Sequence, residues 1–177
     1  MEWEERPPIF TLIDGNNLKA TKDILISSPR EASRELPGKS DTWFPLHMAS
    51  QHGRIRIMRL LLAEPYNVDP NIRSRRAKFT PLHQAVRSRQ PDAVELLLAA
   101  GAQVDSKYFV PGAKDMTDLT ALEIAVENCV TDGAVGRADK RIIATLLRHG
   151  ADYLRNVSGR GEGRTSSSMT YTPRALD

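Results

Sequence analysis

The sequence predicts an all-α repeat array, in which short antiparallel helix pairs stack side by side and are joined by turn-rich fingers. Three observations carry this expectation. A hexapeptide recurs, Phe44-Pro45-Leu46-His47-Met48-Ala49 and then Thr80-Pro81-Leu82-His83-Gln84-Ala85, with starts 36 residues apart. Each copy is followed by a second apolar run, Ile55 to Leu62 and Ala93 to Leu98. Gly53 and Gly101 fall where a turn between helices and a left-handed helix stop are needed.

Taken in order, residues 8–41 form a first unit by register. Ile9 matches the motif leucine, Leu12 lies three residues on, Asn16 falls at the turn, and Leu18, Ile24 and Leu25 continue the apolar spacing. Lys19, Thr21 and Lys22 make its outer helix polar, as a terminal repeat requires. Units two and three, 42–77 and 78–116, hold the two motif copies. Pro45 and Pro81 suit the first helical position, where a missing N–H costs nothing, and Thr80 can cap its helix. Small Ala49 and Ala85 allow close helix approach. Unit four, 117–154, opens at Thr120-Ala121-Leu122-Glu123-Ile124-Ala125. From Leu122 to Leu147 is 25 residues, against 16 from Leu46 to Leu62, so nine residues are inserted between its helices. Asp132-Gly133 and Gly136 place that insert in a surface loop between Cys129 and Asp139. Residues 1–7 are a short extension. Residues 155–177 carry Arg155, Arg160, Arg164 and Arg174 against Glu162 and Asp177, with Ser166-Ser167-Ser168 and several glycines. That composition lacks core-forming residues and reads as a disordered basic tail.

These motifs resemble the ankyrin-repeat family. The resemblance rests on Thr80-Pro81-Leu82-His83-Gln84-Ala85 with Leu96-Leu97-Leu98-Ala99-Ala100-Gly101-Ala102, supported by Tyr66-Asn67-Val68-Asp69-Pro70-Asn71 and His149-Gly150-Ala151-Asp152. It covers residues 8–154. Phe44 departs from the motif threonine, Ala121 from its proline and Glu123 from its histidine. A small stand-alone ankyrin solenoid of about four units is implied, with hairpin fingers. The resemblance also implies that His47 and His83 hydrogen-bond backbone and hold turns.

Little in the sequence suggests catalysis or a cofactor. Helices packed about 8–10 Å apart separate equivalent histidines too widely for one zinc at about 2 Å per bond. Cys129 is the single cysteine, with no Cys-x-x-Cys partner, and reads as a small hydrophobe in a reducing compartment. No phosphate loop is present. Gly159 to Arg164 lacks a flanking strand and helix, and Asp14-Gly15-Asn16-Asn17 lacks the remaining calcium ligands. No apolar run approaches the length of a membrane span, and the acidic start has no leader-like core. The expectation is a non-enzymatic, monomeric protein of cytoplasm or nucleus, without cofactor, metal or membrane.

The net charge of +3 is too mild to imply nucleic acid by itself, but Arg73, Arg75, Arg76 and Lys78 cluster within six residues. The resemblance implies binding of another protein through finger tips and the exposed side of each first helix. Carried onto this sequence, that surface comprises Trp43, Phe79 and Leu119, then Gln51, His52, Arg87, Ser88 and Glu127. The basic finger would clamp an acidic segment of the partner. The third finger, Ser106 to Leu119, is long, and Tyr108 or Phe109 is expected to fold back on the concave face or meet a partner. The function implied is an adaptor, scaffold or inhibitor. The alternative is nucleic-acid binding through the basic finger and tail. Asn71 reads as a turn asparagine at the finger base; some asparagines at this place in the family are hydroxylated.

Overall fold

The computed structural model describes residues 7–37, 41–109, 118–131 and 136–152. The tail expected over 155–177, the tip of the third finger and the glycine-bearing segment 132–135 lie outside the described residues.

The described residues contain eight α-helices. They are α1 (Pro8–Asp14), α2 (Leu18–Ser27), α3 (Pro45–Gln51), α4 (Ile55–Leu62), α5 (Pro81–Arg87), α6 (Pro91–Ala99), α7 (Ala121–Thr131) and α8 (Arg137–Arg148). Odd-numbered helices pack on one another in an inner row, and even-numbered helices in an outer row. Two hairpins project between units. In one, β1 (Leu36–Pro37) pairs antiparallel with β2 (Thr42–Trp43); in the other, β3 (Lys107–Phe109) pairs with β4 (Asp118–Thr120). The all-α repeat stack expected from the motifs is therefore observed.

The core runs through the stack between the two rows. Leu46, Ala49, Leu82, Ala85, Leu122 and Ala125 from inner helices meet Leu25, Ile57, Leu61, Val94, Leu97, Ile142 and Leu146 from outer ones. Unit one joins with Ile9, Phe10 and Ile13, all fully buried. Phe10 occupies the motif-histidine position, so an apolar ring fills the place of an imidazole. Thr21, expected on the polar outer face, is instead buried, its hydroxyl donating to the Asn17 carbonyl at 2.7 Å.

The turn position seven residues after each motif leucine is left-handed in three units: Asn16 at φ 54°, Gly53 at φ 60° and Arg89 at φ 52°. Asparagine and glycine tolerate this conformation, whereas arginine does not without compensation. Arg89 is compensated. Its guanidinium donates to the buried Asp139 carboxylate at 3.1 Å and to the Asn128 carbonyl at 2.9 Å, joining unit three to unit four. In unit four the equivalent residue is Cys129, which is helical, because α7 continues to Thr131. The insert is thus not a loop from Cys129 to Asp139. Cys129 lies in α7 and Asp139 in α8, where the Asp139 carboxylate accepts from the Gly136 N–H at 3.2 Å. Much of the added length goes into longer helices, 11 and 12 residues against 7 and 9 in unit three.

Lys78 is also left-handed, at φ 56°, and its side chain is exposed. A residue with a Cβ is strained there by about 1 kcal/mol relative to glycine. Lys78→Gly is expected to raise the urea midpoint by about 1 kcal/mol equivalent, with an unchanged m-value. A neutral or lower midpoint would show that the side chain contributes contacts that offset the strain.

Candidate protein-binding surface

The inner helices and the fingers together line one side of the stack, the side that the family resemblance makes the binding face. The fingers are held from below by the motif histidines. His47 Nε2 donates to the Phe79 carbonyl at 3.0 Å, and His83 Nε2 donates to the Ser106 carbonyl at 2.8 Å. Each imidazole thus ties its own inner helix to the next finger. The two histidines differ at the other nitrogen. His83 Nδ1 accepts from the Thr80 N–H at 3.1 Å, completing a reciprocal cap with the Thr80 hydroxyl. Phe44 stands where that threonine would be in unit two, so no such hydroxyl exists and the buried His47 Nδ1 has no hydrogen-bond partner among the described residues. In unit four Glu123 takes the histidine's part, its carboxylate accepting from the Thr120 N–H at 2.7 Å.

The basic finger is organised around a residue that sequence reasoning did not single out. Asp41 is buried, and its carboxylate accepts from the N–H groups of Thr42 at 2.7 Å, Arg76 at 2.9 Å and Ala77 at 3.0 Å, and from the Ser74 hydroxyl. Burial pushes its pKa up, but the donors from Arg76, Ser74, Ala77 and Thr42 outweigh this and leave it below the usual aspartate value. Ser74 in turn accepts from the Phe79 N–H at 2.9 Å. One carboxylate from the end of unit one therefore sets the shape of the finger that carries the cations. Arg73, Arg75, Arg76 and Lys78 are all exposed. Arg75 is engaged, donating to both oxygens of Glu35 at 2.7 Å across to the first hairpin.

The aromatic residues form a ladder along the fingers. Trp43 meets Phe79 edge-on at 6.0 Å between centroids, and Phe79 meets Tyr108 edge-on at 4.7 Å. His47 and His83 lie against the ladder, at 5.6 Å from Trp43 and 5.2 Å from Tyr108. Edge-to-face pairs at these separations are favourable beyond the area they bury. Phe79, assigned from its position to the open surface, is only 2% exposed, because Trp43 covers one side and Tyr108 from the next finger the other. It is a core residue of the ladder rather than a contact available to a partner. Trp43 and Leu119 are half-buried.

Tyr108 folds back towards the inner helices, while Phe109, its neighbour in β3, faces the opposite way and is 39% exposed. The Tyr108 phenol is raised in pKa, chiefly by burial, with Arg87 lowering it and Glu127 and Glu123 raising it. Those three charged residues are thus near enough to act on it electrostatically. Gln51, His52 and Ser88 are half-buried, and Arg87 and Glu127 exposed. His52 Nε2 lies 3.2 Å from the Asp14 carboxylate, and Arg54 donates to the Asp14 carbonyl at 2.8 Å, so this corner joins units one and two. The Asn71 side chain donates to the Gly101 carbonyl at 3.1 Å and accepts from the Gln103 N–H at 2.7 Å, bridging two finger bases. No cluster of three or more histidine, cysteine, aspartate or glutamate side chains suited to a metal occurs among the described residues. Among them, no helix is long and apolar enough to cross a membrane.

Residues 10–108 match a family model described as ankyrin repeats, in three copies. The chain is 32% identical over 124 residues, 70% of its length, to alpha-latroinsectotoxin-Lt1a from Latrodectus tredecimguttatus, of which this is 8%. It is 28% identical over 106 residues, 60% of its length, to alpha-latrocrustotoxin-Lt1a of the same spider, of which this is 7%. It is also 44% identical over 61 residues, 33% of its length, to zinc finger CCCH domain-containing protein 67 from Oryza sativa subsp. japonica, of which this is 10%. The chain thus spans a tenth or less of the curated relatives it matches. The matched region takes in α1 to β3, the helix pairs and fingers that build the surface just described. With the helix-pair register and the histidine-tied fingers in place, the chain belongs to the ankyrin-repeat family, and its repeats make it a protein–protein interaction module.

Proposed function

We propose that this chain is a non-catalytic adaptor, scaffold or inhibitor that holds a partner protein against its concave face and finger edge. The observation that carries this reading is the aromatic ladder from Trp43 to Tyr108, spanning units two and three and flanked by exposed charged side chains. A surface already held by Asp41, His47 and His83 loses little conformational freedom when a partner arrives. Half-buried Trp43, backed by buried Phe79 and Tyr108, is an anchor of the kind that dominates interface energetics. Arg76, Lys78 and Arg87 beside them favour an acidic segment, while Glu123 and Glu127 mark the other end of the face as one that repels it.

The test is affinity capture from native extract with the wild type and a Trp43→Ala/Arg87→Glu double variant, matched for folding by circular dichroism. Selective loss of a protein partner is the expected result. A captured set that is unchanged by the double variant would remove the concave face from consideration.

A further inference from the structure

The alternation of β3 divides the third finger into two surfaces. Tyr108 turns to the inner helices, whereas Lys107 and Phe109 turn away from them. On that far side they meet Arg73 of the preceding finger around a cleft of about 550 Å³, lined also by Gln103, Asp105 and Ser106. We propose that this cleft is a second binding site, separate from the concave face, for an acidic and partly apolar peptide segment of another protein. A carboxylate of that segment sits between Arg73 and Lys107, and an apolar side chain lies on Phe109.

The cleft is held in shape at both ends. At its base the Asn71 side chain ties the start of the second finger to Gly101 and Gln103. At the other end the Phe109 N–H donates to the Ala77 carbonyl at 2.7 Å. Arg73 lies in the chain between Asn71 and Ala77, so its spacing from Gln103–Phe109 is set before any ligand arrives. Such preorganisation reduces the cost of ordering on binding.

Charge selects the occupant. Arg73 and Lys107 are exposed, and neither forms an ion pair with a described residue. The cleft's acid, Asp105, is turned to the backbone, its carboxylate accepting from the Asp152 N–H at 3.2 Å. Asp105 in the wall and Asp118 opposite Phe109 in the strand register interrupt any continuous track of cations. A nucleic-acid strand needs such a track along its phosphates, whereas a peptide needs only one or two carboxylates. The chain's own residues 153–177 carry Arg155, Arg160, Arg164 and Arg174 against only Glu162 and Asp177, a net positive segment of the wrong sign for this cleft. Phe109, 39% exposed beside the two cations, provides the apolar contact that distinguishes an acidic–apolar segment from a free anion.

The experiment is selection from a random peptide library displayed on phage against the full chain, followed by affinity measurement on the enriched peptides. Enriched peptides are expected to carry aspartate or glutamate next to a large apolar residue. Their affinity should fall by at least about tenfold in Arg73→Glu/Lys107→Glu and in Phe109→Ser, and stay unchanged in Arg87→Glu, which alters only the concave face. All three substituted cleft side chains are exposed, and thermal melts confirm folding; Arg73→Ala/Lys107→Ala serves if charge reversal unfolds the finger. Peptides without acidic enrichment, or binding that survives the cleft variants, would overturn the proposal. So would an oligothymidine probe that displaces the peptides from the cleft, which would assign it to nucleic acid. Loss of binding in Arg87→Glu alone would place the peptides on the concave face and leave the cleft without a ligand.

Discussion

Asp41→Ala lowers the stability of the stack by about 3 kcal/mol or more, the effect of removing one acceptor from several donors at once. The wild-type carboxylate receives three backbone N–H groups and the Ser74 hydroxyl inside a buried turn. Alanine removes the acceptor and leaves the buried Ala77 N–H and Ser74 hydroxyl without it, and the part-buried Thr42 and Arg76 N–H groups as well. Hydrogen bonds to a charged acceptor contribute about 1.5–3 kcal/mol each, but the turn relaxes and re-solvates the outermost donors, so the sum is not additive. Asp41→Asn keeps one acceptor oxygen and points a donor at the Ala77 N–H or at Ser74, and an intermediate loss follows. Urea unfolding of the three proteins measures the series. If Asp41→Ala fell within about 1 kcal/mol of wild type, the carboxylate would be a passenger in the turn rather than its organiser. The variant also tests the binding surface, because Arg73, Arg76 and Lys78 keep their charges while losing their fixed positions.

Much of the stack was legible in sequence because each unit repeats the same local chemistry. Proline at the first helical turn and a left-handed turn seven positions after the motif leucine locate units one to three, and in units two and three the small residues Ala49 and Ala85 add to them. The register even holds for Asn16, whose φ of 54° matches Gly53. It failed to flag Arg89, because nothing local announces an arginine in that conformation; its reason lies in Asp139 and Asn128, about forty to fifty residues away. The insert in unit four was misplaced for a similar cause. Glycines at 133 and 136 suggested a loop reaching back to Cys129, yet packing of α7 against α5 and α8 carries the helix on to Thr131.

The surface was less legible than the fold. The run Arg73 to Lys78 stands out as charge, but only the fold shows that Glu35 engages Arg75 and that Asp41 holds the turn beneath. Phe79 sits three residues before its motif leucine, just as Trp43 does, so sequence spacing treats them alike. Their burial differs because Tyr108 from a later finger closes over Phe79. Lys107 was missed altogether. Its signal was the strand alternation in Ser106-Lys107-Tyr108-Phe109, which puts Lys107 and Phe109 on one face and Tyr108 on the other.

Acid should destabilise this protein well above the range in which its carboxylates titrate, and the two motif histidines are the reason. Burial, opposed by the hydrogen bond to Phe79, brings the His47 pKa down to about 4. Burial, with Arg73 and His47 adding to it against the bond to Ser106, does the same for His83, also to about 4. The geometry explains the direction. Each Nε2 must carry its proton to donate to a carbonyl, so a second proton can go only to Nδ1. In His83 that atom already accepts from the Thr80 N–H, and in His47 it is buried without a partner. Unfolded, both imidazoles titrate near the ordinary value of about 6.5, so the unfolded chain takes up protons first as pH falls. Their contribution is therefore complete above about pH 6.5 and is lost progressively down to about pH 4. Each lost pKa unit is worth about 1.4 kcal/mol, which amounts to about 2 kcal/mol per histidine between pH 7 and pH 5. Asp41, whose folded pKa is lowered, loses its contribution only as pH falls through that lowered value, outside this window. Urea midpoints measured across the window should drop by about 4 kcal/mol equivalent for wild type and about half that for His83→Gln. A flat profile would mean that water reaches both imidazoles in the folded chain, and the fingers they support would then be far looser than their hydrogen bonds imply.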